Sequence, residues 1–236
     1  MINYIVFDGK RLKDYGVYIS GKGVFDAPKR DENTVDVPGR NGKLTIDNGR
    51  FENITVKYPA FIVRGFKENV DALRNYVLSK RGYVRLEDTY HPNEFRLARF
   101  AEDFTVKPIE ELYAGDFDLV FDCYPQRFLK SGEHPIEVTT SITLINEQLQ
   151  TALPLIRAYG TGTFTINGVA VQIVSANVYT DIDCNLQECY KDTLATNCNG
   201  NVRLTNGAFP SLVSGENSVS MSGITKLEIT PRWWKL

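Results

Sequence analysis

The chain has 236 residues, a formal net charge of -2 and a hydrophobic share of 42%. This length suffices for two small domains with proper cores, and the composition is that of a folded rather than a disordered protein. The near-neutral charge gives no electrostatic basis for stable nucleic-acid binding. We also expect no membrane insertion and no secretory signal peptide, because no apolar run approaches about 18 residues and the first residues lack a basic start before an apolar core.

The first 33 residues predict a hairpin followed by a loop. Residues 4–7 and 12–19 are β-prone runs on either side of Asp8-Gly9-Lys10, and Asp-Gly is a preferred pair in tight hairpin turns. The polar residues 28–33 carry charges of both signs and predict a solvated connection.

Residues 34–64 predict a small β-meander with polar tips. Residues 36–43 contain Pro-Gly and Asn-Gly turn signals almost back to back, and residues 47–50 carry a further Asn-Gly signal. Ordinary hairpin chemistry explains these glycines, but exposed tips can also serve as subunit contacts. The interface candidates are Arg40, Asn41, Gly42, Lys43, Asp47, Asn48, Gly49 and Arg50.

One amphipathic helix is predicted between Gly65 and Gly82. Leu78 widens its apolar stripe, and Lys80 and Arg81 complement the helix dipole in the last turn, so we expect the helix to end near Arg81. The stripe itself recurs at helical spacing and consists of Phe66, Val70, Leu73 and Val77.

The helix is expected to pack on a sheet that contains the strands following it. Residues 83–86 and 95–100 are β-prone runs around a turn-rich segment, which predicts a hairpin. Residues 116–123 alternate apolar and acidic side chains, a pattern typical of a half-buried strand with its aspartates facing outward. We assign no metal site to those aspartates, because no further convergent ligands are evident.

A change of pattern near residues 125–135 predicts a domain boundary. We therefore expect an α+β domain over residues 1–131 and a second domain over residues 132–236. The second half shows no helix signal, and its short strands alternate with turn signals, which predicts an antiparallel β-sandwich or jelly roll. The expected strands are 138–144, 155–159, 162–166, 170–174, 177–182, 218–221 and 226–229.

No pattern for catalysis, a cofactor or a metal is evident. The two histidines lie in a predicted turn and in the predicted linker, and Gly160-Thr161-Gly162 is not followed by a helix that could bind a phosphate. Cys184, Cys189 and Cys198 lack a nearby fourth zinc ligand, and no Cys-x-x-Cys pair is present. Their redox state stays open between free thiols and a disulfide.

The last residues contain both tryptophans of the chain, Trp233 and Trp234. Aromatic anchors near a chain end usually dock into a groove. Docking onto a domain of the same chain and an exposed partner-binding tail are both open.

The order of several short motifs resembles the distal tail protein (Dit) family of long-tailed, non-contractile bacteriophages and prophages, over nearly the whole chain. The N-terminal motifs are Val-Pro-Gly-Arg-Asn-Gly at 37–42, Gly-Tyr-Val-Arg-Leu at 82–86, Phe-Arg-Leu-Ala-Arg at 95–99 and the strand 117–125. The C-terminal motifs are Tyr-Gly-Thr-Gly at 159–162, Phe-Pro-Ser-Leu at 209–212, Gly-Glu-Asn at 215–217 and Pro-Arg-Trp-Trp at 231–234.

This resemblance implies a structural hub at the phage tail tip and no enzymatic activity. It implies a ring, commonly hexameric, formed by N-terminal domains around a central channel, with galectin-like or jelly-roll C-terminal domains projecting outward. The implied partners are the tail-tube protein, the tail-associated fibre or lysin protein and receptor-binding proteins. The implied location is the virion tail tip, after assembly in the bacterial cytoplasm.

This chain differs from larger members of that family in having no room for an inserted carbohydrate-binding module in its C-terminal half. The alternative from another functional class is a free-standing carbohydrate-binding β-sandwich. That alternative is favoured if exposed aromatic side chains line a concave face.

Overall fold

The computed structural model describes residues 2–21, 26–63, 65–101, 107–109 and 114–236. The chain divides into two compact units, residues 1–127 with Leu236 and residues 128–235. The division lies a few residues before the boundary predicted from the sequence. The architecture is mainly β with one α-helix among the described residues, as the sequence predicts.

The first unit is built on one antiparallel sheet. In chain order its elements are β1 Ile5–Phe7, β2 Lys10–Arg11, β3 Val17–Ile19, β4 Arg30–Val35, β5 Leu44–Phe51, β6 Ile54–Ile62, α1 Phe66–Ser79, β7 Val84–Asp88, β8 Glu94–Phe100, β9 Lys107–Ile109 and β10 Ala114–Cys123. The strand order in the sheet is β2-β1-β7-β8-β10-β6-β3, β9 pairs with β10, and β4 and β5 form a separate two-stranded ribbon.

The predicted Asp8-Gly9 turn is confirmed, but the strand predicted after it is partly wrong. Asp8 and Gly9 have φ angles of 47° and 79°, the two positive values that a type I′ hairpin turn requires. Residues 12–15 form a 3₁₀ turn instead of a strand, because the buried Leu12 enters the core there. Gly16, with φ 68°, then redirects the chain into β3, which pairs with β6.

The helix has the predicted face but is shorter than predicted. It ends at Ser79, so Lys80 and Arg81 lie beyond the last turn and no basic residue occupies that turn. Lys80 is extended, and its ammonium group pairs with Asp8 at 2.6 Å, a tertiary contact that the helical pattern does not contain. Leu78 is 58% exposed and does not belong to the buried stripe.

The helix covers the sheet as expected. Its buried side chains share one apolar cluster with side chains of the predicted hairpin and of β10. In β10 the residues at odd positions from Phe117 to Cys123 are buried and Asp116 and Asp118 are exposed, as predicted, but Val120 is buried and Asp122 is only partly exposed. The helix contributes Phe66, Val70, Leu73 and Val77, and the strands contribute, among others, Leu86, Ala98, Phe117, Leu119 and Phe121.

The second unit is a sandwich of two antiparallel sheets, which confirms the predicted fold class. The remaining strands in chain order are β11 Arg127–Leu129, β12 Ile136–Val138, β13 Ile142–Asn146, β14 Leu155–Tyr159, β15 Gly162–Ile166, β16 Val169–Ile173, β17 Tyr179–Asp183, β18 Glu188–Lys191, β19 Thr193–Asn197, β20 Val202–Leu204, β21 Gly215–Ser222, β22 Lys226–Thr230 and β23 Trp234–Lys235. The six-stranded sheet has the order β12-β22-β14-β17-β18-β19, and the five-stranded sheet has the order β13-β21-β15-β16-β20.

Two details of the predicted sandwich are wrong. Residues 138–144 were expected to be one strand, but β12 ends at Val138 and β13 begins at Ile142 in the opposite sheet. Strands β18, β19 and β20 were not predicted: β18 and β20 are only four and three residues long, and β19 is exposed at every residue and carries no alternation of burial. The predicted Asn167-Gly168 turn is present between β15 and β16, with φ angles of 49° and 82°.

Candidate subunit interface

The ribbon formed by β4 and β5 is an exposed arm of the first unit. Asp31 is the only residue of β4 that is not classed as exposed, and Phe51 is the only such residue of β5. Residues 28–33 were predicted to be a loop, but Arg30–Val35 is a strand because all of its residues except Asp31 pair with β5, with a register shift between Arg30 and Glu32. An isolated two-stranded ribbon is at best marginally stable in water.

The tip of the arm has the turn chemistry that its sequence predicts. The Arg40 N–H donates to the Val37 carbonyl oxygen at 3.1 Å, and Gly39 has φ 79°. Proline followed by glycine at the two central positions is the signature of a type II turn. Arg40, Asn41 and Gly42 therefore lie at the exposed end of the arm, and Lys43 pairs with Asp36 beside them at 3.4 Å.

The second set of interface candidates does not form a turn. Asp47, Asn48, Gly49 and Arg50 lie inside β5, where the pairing register shifts between Arg30 and Glu32 of β4. The Gly49 N–H donates to Asp47 Oδ1 at 2.7 Å, and Gly49 has φ 74°. The Asn-Gly signal thus marks a bulge within a strand, a use of glycine that local sequence does not distinguish from a turn.

The polar side chains at this bulge are bonded to one another across the arm. Arg30 pairs with Asp47 at 3.0 Å, and Asp31 accepts hydrogen bonds from Asn48 at 2.9 Å and from Arg50. The hydrogen bonds from Asn48 and Arg50 lower the pKa of Asp31. These contacts hold the base of the arm together rather than presenting unused polar groups.

One face of the arm carries a cluster of exposed apolar side chains next to a single amide, Asn33, which lies opposite Ile46. Val35 lies directly opposite Leu44 in the ribbon, and Ile46 follows two residues later on the same face. The exposed fractions of Val35, Leu44 and Ile46 are 46%, 39% and 49%, and that of Val37 is 38%. The opposite face carries the directly paired Thr34 and Thr45.

A small polar cluster in the first unit contains a histidine but not the geometry of a catalytic site. His91 Nδ1 lies 3.2 Å from Asp88 Oδ1, and the Tyr58 hydroxyl donates to Asp88 Oδ2 at 2.8 Å. The adjoining cavity of about 10 Å³ has room for about one water molecule, whereas ligand sites are far larger. Burial and the Asp88 carboxylate raise the pKa of Tyr58 well above its usual value. The contacts of this cluster connect β6, β7 and the turn after β7.

The cysteines of the second unit are not arranged for zinc or for nucleophilic catalysis. Within the described ranges, no three or more histidine, cysteine, aspartate or glutamate side chains are placed to hold a metal ion. Burial raises the pKa of both the Cys184 and the Cys189 thiols to about 12, which disfavours the thiolate that metal binding and nucleophilic attack require.

The described part of the chain also contains no helix with the length and apolar character that crossing a membrane requires. Its one α-helix, Phe66–Ser79, has polar side chains on the side away from the core.

The C-terminal tryptophans lie against the core of the second unit. Both Trp233 and Trp234 pack on its apolar cluster, and Trp234 Nε1 donates to the Thr151 carbonyl oxygen at 3.0 Å. The neighbouring Arg232 has φ 58°, and its guanidinium group donates to both carboxylate oxygens of Asp183 at 2.7 and 2.8 Å. This ion pair was not predicted, because its partners are 49 residues apart in the sequence.

The Arg232–Asp183 pair predicts a specific loss of stability in acid. Burial favours protonation of Asp183, but the hydrogen bonds from Arg232 and from the Leu186 and Asn185 backbone outweigh it, so the pKa of Asp183 is lowered. A carboxyl group whose pKa is lower in the folded chain than in the unfolded chain stabilises the fold at pH values above its unfolded-state pKa. That stabilisation is lost as the pH falls through its folded-state pKa. We expect the second unit to lose stability below about pH 4.

An Arg232→Met variant tests this prediction. Asp183 is only 2% exposed, so the variant should lower the free energy of unfolding by about 2 kcal/mol at pH 7, with a smaller difference at pH 3. Urea unfolding followed by tryptophan fluorescence measures the effect, since both tryptophans lie in this unit. Arg203→Met is the control, because the exposed Arg203 bonds to backbone oxygens. Equal losses in both variants, or a difference that does not depend on pH, would contradict the assignment.

Aromatic side chains on the six-stranded sheet are already engaged by charged groups. Tyr159 and Tyr179 lie 5.4 Å apart, with Lys226 Nζ 4.4 Å from the first ring and Arg157 Cζ 4.2 Å from the second. The Tyr159 hydroxyl also donates to Glu228. Cations over these rings compete with the stacking that a saccharide would need.

Comparison with solved structures identifies the fold. The full length of the chain matches the full length of the SPP1 Dit (gp 19.1) protein, described as a paradigm of the hub adsorption apparatus in phages that infect Gram-positive bacteria, with a TM-score of 0.72 and 13% identity. Structures of the phage p2 baseplate in its activated conformation, with strontium or calcium, match over 97% of both chains with TM-scores of 0.53 and 0.54 and 11% identity. No protein-family model and no curated protein sequence matches the chain. The chain therefore has the Dit fold.

Proposed function

We propose that this chain is a structural hub protein of a phage tail tip, which forms a ring between the tail tube and the fibre, lysin or receptor-binding proteins. The observation that supports this function most strongly is the full-length match to the SPP1 Dit protein, in which both units of the fold are present. The near-neutral charge suits a protein around a channel that DNA must cross without being retained.

The exposed arm provides the surface for ring formation. The apolar face of Val35, Leu44 and Ile46 is open to solvent in the single chain, and no third strand among the described residues pairs with the arm. A closed ring uses one surface of a subunit against a different surface of the next. An arm laid on a neighbouring subunit covers its apolar face and adds the packing that the isolated ribbon lacks. The resemblance to the Dit family implies that this ring contains six subunits.

The chain has a structural and not an enzymatic role in this proposal. His91 is engaged by Asp88, the buried cysteine thiols are held protonated, and the adjoining cavity is too small for a substrate. Carbohydrate binding by the second unit is the alternative. It receives less support, because the rings of Tyr159 and Tyr179 already contact cations.

The location of the protein in virus particles tests the proposed function. Gold-labelled antibodies against the chain should bind one end of the tail, opposite the head, in particles from a lysogen or phage that encodes it. Competition with the purified protein controls for antibody specificity. Label at the head, label along the whole tube, or particles that contain none of the protein would overturn the proposal.

A further inference from the structure

Two cysteines of the second unit face each other across neighbouring strands. The register pairs Tyr190 with Asn197, which places Cys189 opposite Cys198, and the Cys198 N–H donates to the Cys189 carbonyl oxygen at 2.8 Å. Opposed residues of an antiparallel pair have Cα atoms about 4.5–5.5 Å apart and side chains on the same face. This separation lies within the range that a disulfide bridges.

The two thiols differ in access. Cys189 is 2% exposed within the apolar cluster, and Cys198 lies half-buried at the margin of the same cluster. Cys184 is also 2% exposed and belongs to the same apolar cluster. Cys198 is therefore the member of the group that a reagent in solvent reaches first.

We propose that Cys189 and Cys198 are an oxidisable pair that closes to a disulfide with a small-molecule disulfide, such as oxidised glutathione, as the oxidant. The Cys198 thiolate attacks a glutathione sulfur, forms a mixed disulfide and releases one glutathione thiolate. The released glutathione thiolate takes the proton of the buried Cys189 as Cys189 attacks the Cys198 sulfur, so no standing Cys189 thiolate is needed, and the second glutathione leaves. The protein loses two protons and two electrons, and oxidised glutathione gains them as two molecules of the thiol.

The local hydrogen bonds prepare this closure. The Asn199 side chain accepts a hydrogen bond from the Cys189 N–H at 2.6 Å and donates to Glu188, so the residues beside both cysteines are already joined. The disulfide would fix β19, an exposed edge strand, to β18 beside the register shift at Tyr190. Under the proposed function, the subunit assembles with reduced thiols in the cytoplasm and closes the bond after release into an oxidising medium.

The test uses the purified full-length chain, first reduced and then incubated with oxidised glutathione at pH 8. We expect the free thiols, counted after denaturation, to fall from four to two and the mass to fall by about 2 Da, without a retained glutathione. Cleavage of the chain after Glu188 and after Lys191 places Cys184, Cys189 and Cys198 on three different peptides. The peptides that contain Cys189 and Cys198 should remain joined by the disulfide.

Three variants make the result decisive. Cys184→Ser should still form the bond, Cys198→Ser should resist oxidation, and Cys189→Ser should stop at a glutathione adduct on Cys198. A bond between Cys184 and Cys189, a persistent adduct on Cys198 in the unaltered chain, or four unchanged thiols would overturn the proposal. The test requires no ring and no phage partner, so its failure is distinguishable from failure of the proposed function.

Discussion

Replacing Gly162 by alanine should destabilise the second unit more than any other single exchange considered in this chain. Gly162 has φ 145°, a region that residues with a Cβ atom rarely adopt. A Cβ atom there would lie 2.4 Å from the Ser222 oxygen, 2.6 Å from the Gly223 carbonyl carbon and 2.7 Å from the Ile224 nitrogen. Because these are backbone atoms, the steric clash can be relieved only if the turn between β21 and β22 moves.

Gly162→Ala should lower the free energy of unfolding by about 3 kcal/mol or more, since overpacking and backbone strain each contribute on the order of 1–3 kcal/mol. Gly168→Ala is the matched control: its φ is 82°, but no atom lies within 4 Å of the added Cβ, so backbone strain alone should cost about 1 kcal/mol. Urea unfolding of both variants measures the difference. Equal stability of the two variants would show that the close approach at Gly162 does not constrain the fold.

This close approach gives the Tyr-Gly-Thr-Gly motif a structural explanation. Glycine at 162 lets β15 begin directly beside the turn that joins β21 to β22. In a phosphate loop, glycines let the backbone come close to a bound anion. Gly162 instead lets two segments of backbone come close to each other.

Charging the apolar face of the arm should abolish ring assembly while leaving the subunit folded. Val35→Asp with Leu44→Asp places two carboxylates at directly opposed positions that the proposed contact buries. The loss should be about 2 kcal/mol or more at every interface, and a closed ring contains the same interface at each junction. Both residues are exposed in the single chain, so its thermal unfolding should change little.

The arm supplies its own control on the other face. Thr34 and Thr45 are also directly opposed, so Thr34→Asp with Thr45→Asp adds the same charge at an adjacent position. Sedimentation velocity of both double variants, at concentrations where the unaltered protein forms rings, distinguishes the faces. Loss of rings in the threonine variant alone would show that the opposite face forms the contact.

The tip candidates require a separate variant. Arg40→Glu with Lys43→Glu reverses charge at the end of the arm without touching its apolar face. We expect a weaker effect on assembly than that of the Val35 and Leu44 exchanges, because exposed charges contribute little to association energy. Dissociation by the tip variant alone, with rings intact in the apolar-face variant, would show that the interface lies at the tip.

The sequence predicts those parts of the fold that rest on local periodicity and turn chemistry. The helical face of Phe66, Val70, Leu73 and Val77 and the turn at Asn167-Gly168 are set by nearby residues, and both are present. The bulge at Gly49 was predicted as a turn, because Asn-Gly supplies a positive φ to either structure. The pairing partner across the ribbon decides between them, and that partner is not local.

The features that define the candidate sites depend on long-range pairing. The apolar face of the arm exists because Val35 lies opposite Leu44, and the cysteine pair exists because β18 and β19 align Cys189 with Cys198. Neither pairing register can be predicted from the side chains before the strands and their partners are known. The helix ends at Ser79, earlier than predicted, and the ion pair between Lys80 and Asp8 just beyond it is a tertiary contact that the helical pattern does not contain.

Negative-stain imaging of the purified protein, combined with its native mass at high concentration, tests ring formation most directly. We expect closed rings with a central channel and a mass six times the 26.7 kDa of one chain. The Val35→Asp with Leu44→Asp variant should give single subunits under the same conditions. Open filaments, or single subunits of the unaltered chain both at high concentration and in isolated tail tips, would contradict ring formation by this chain.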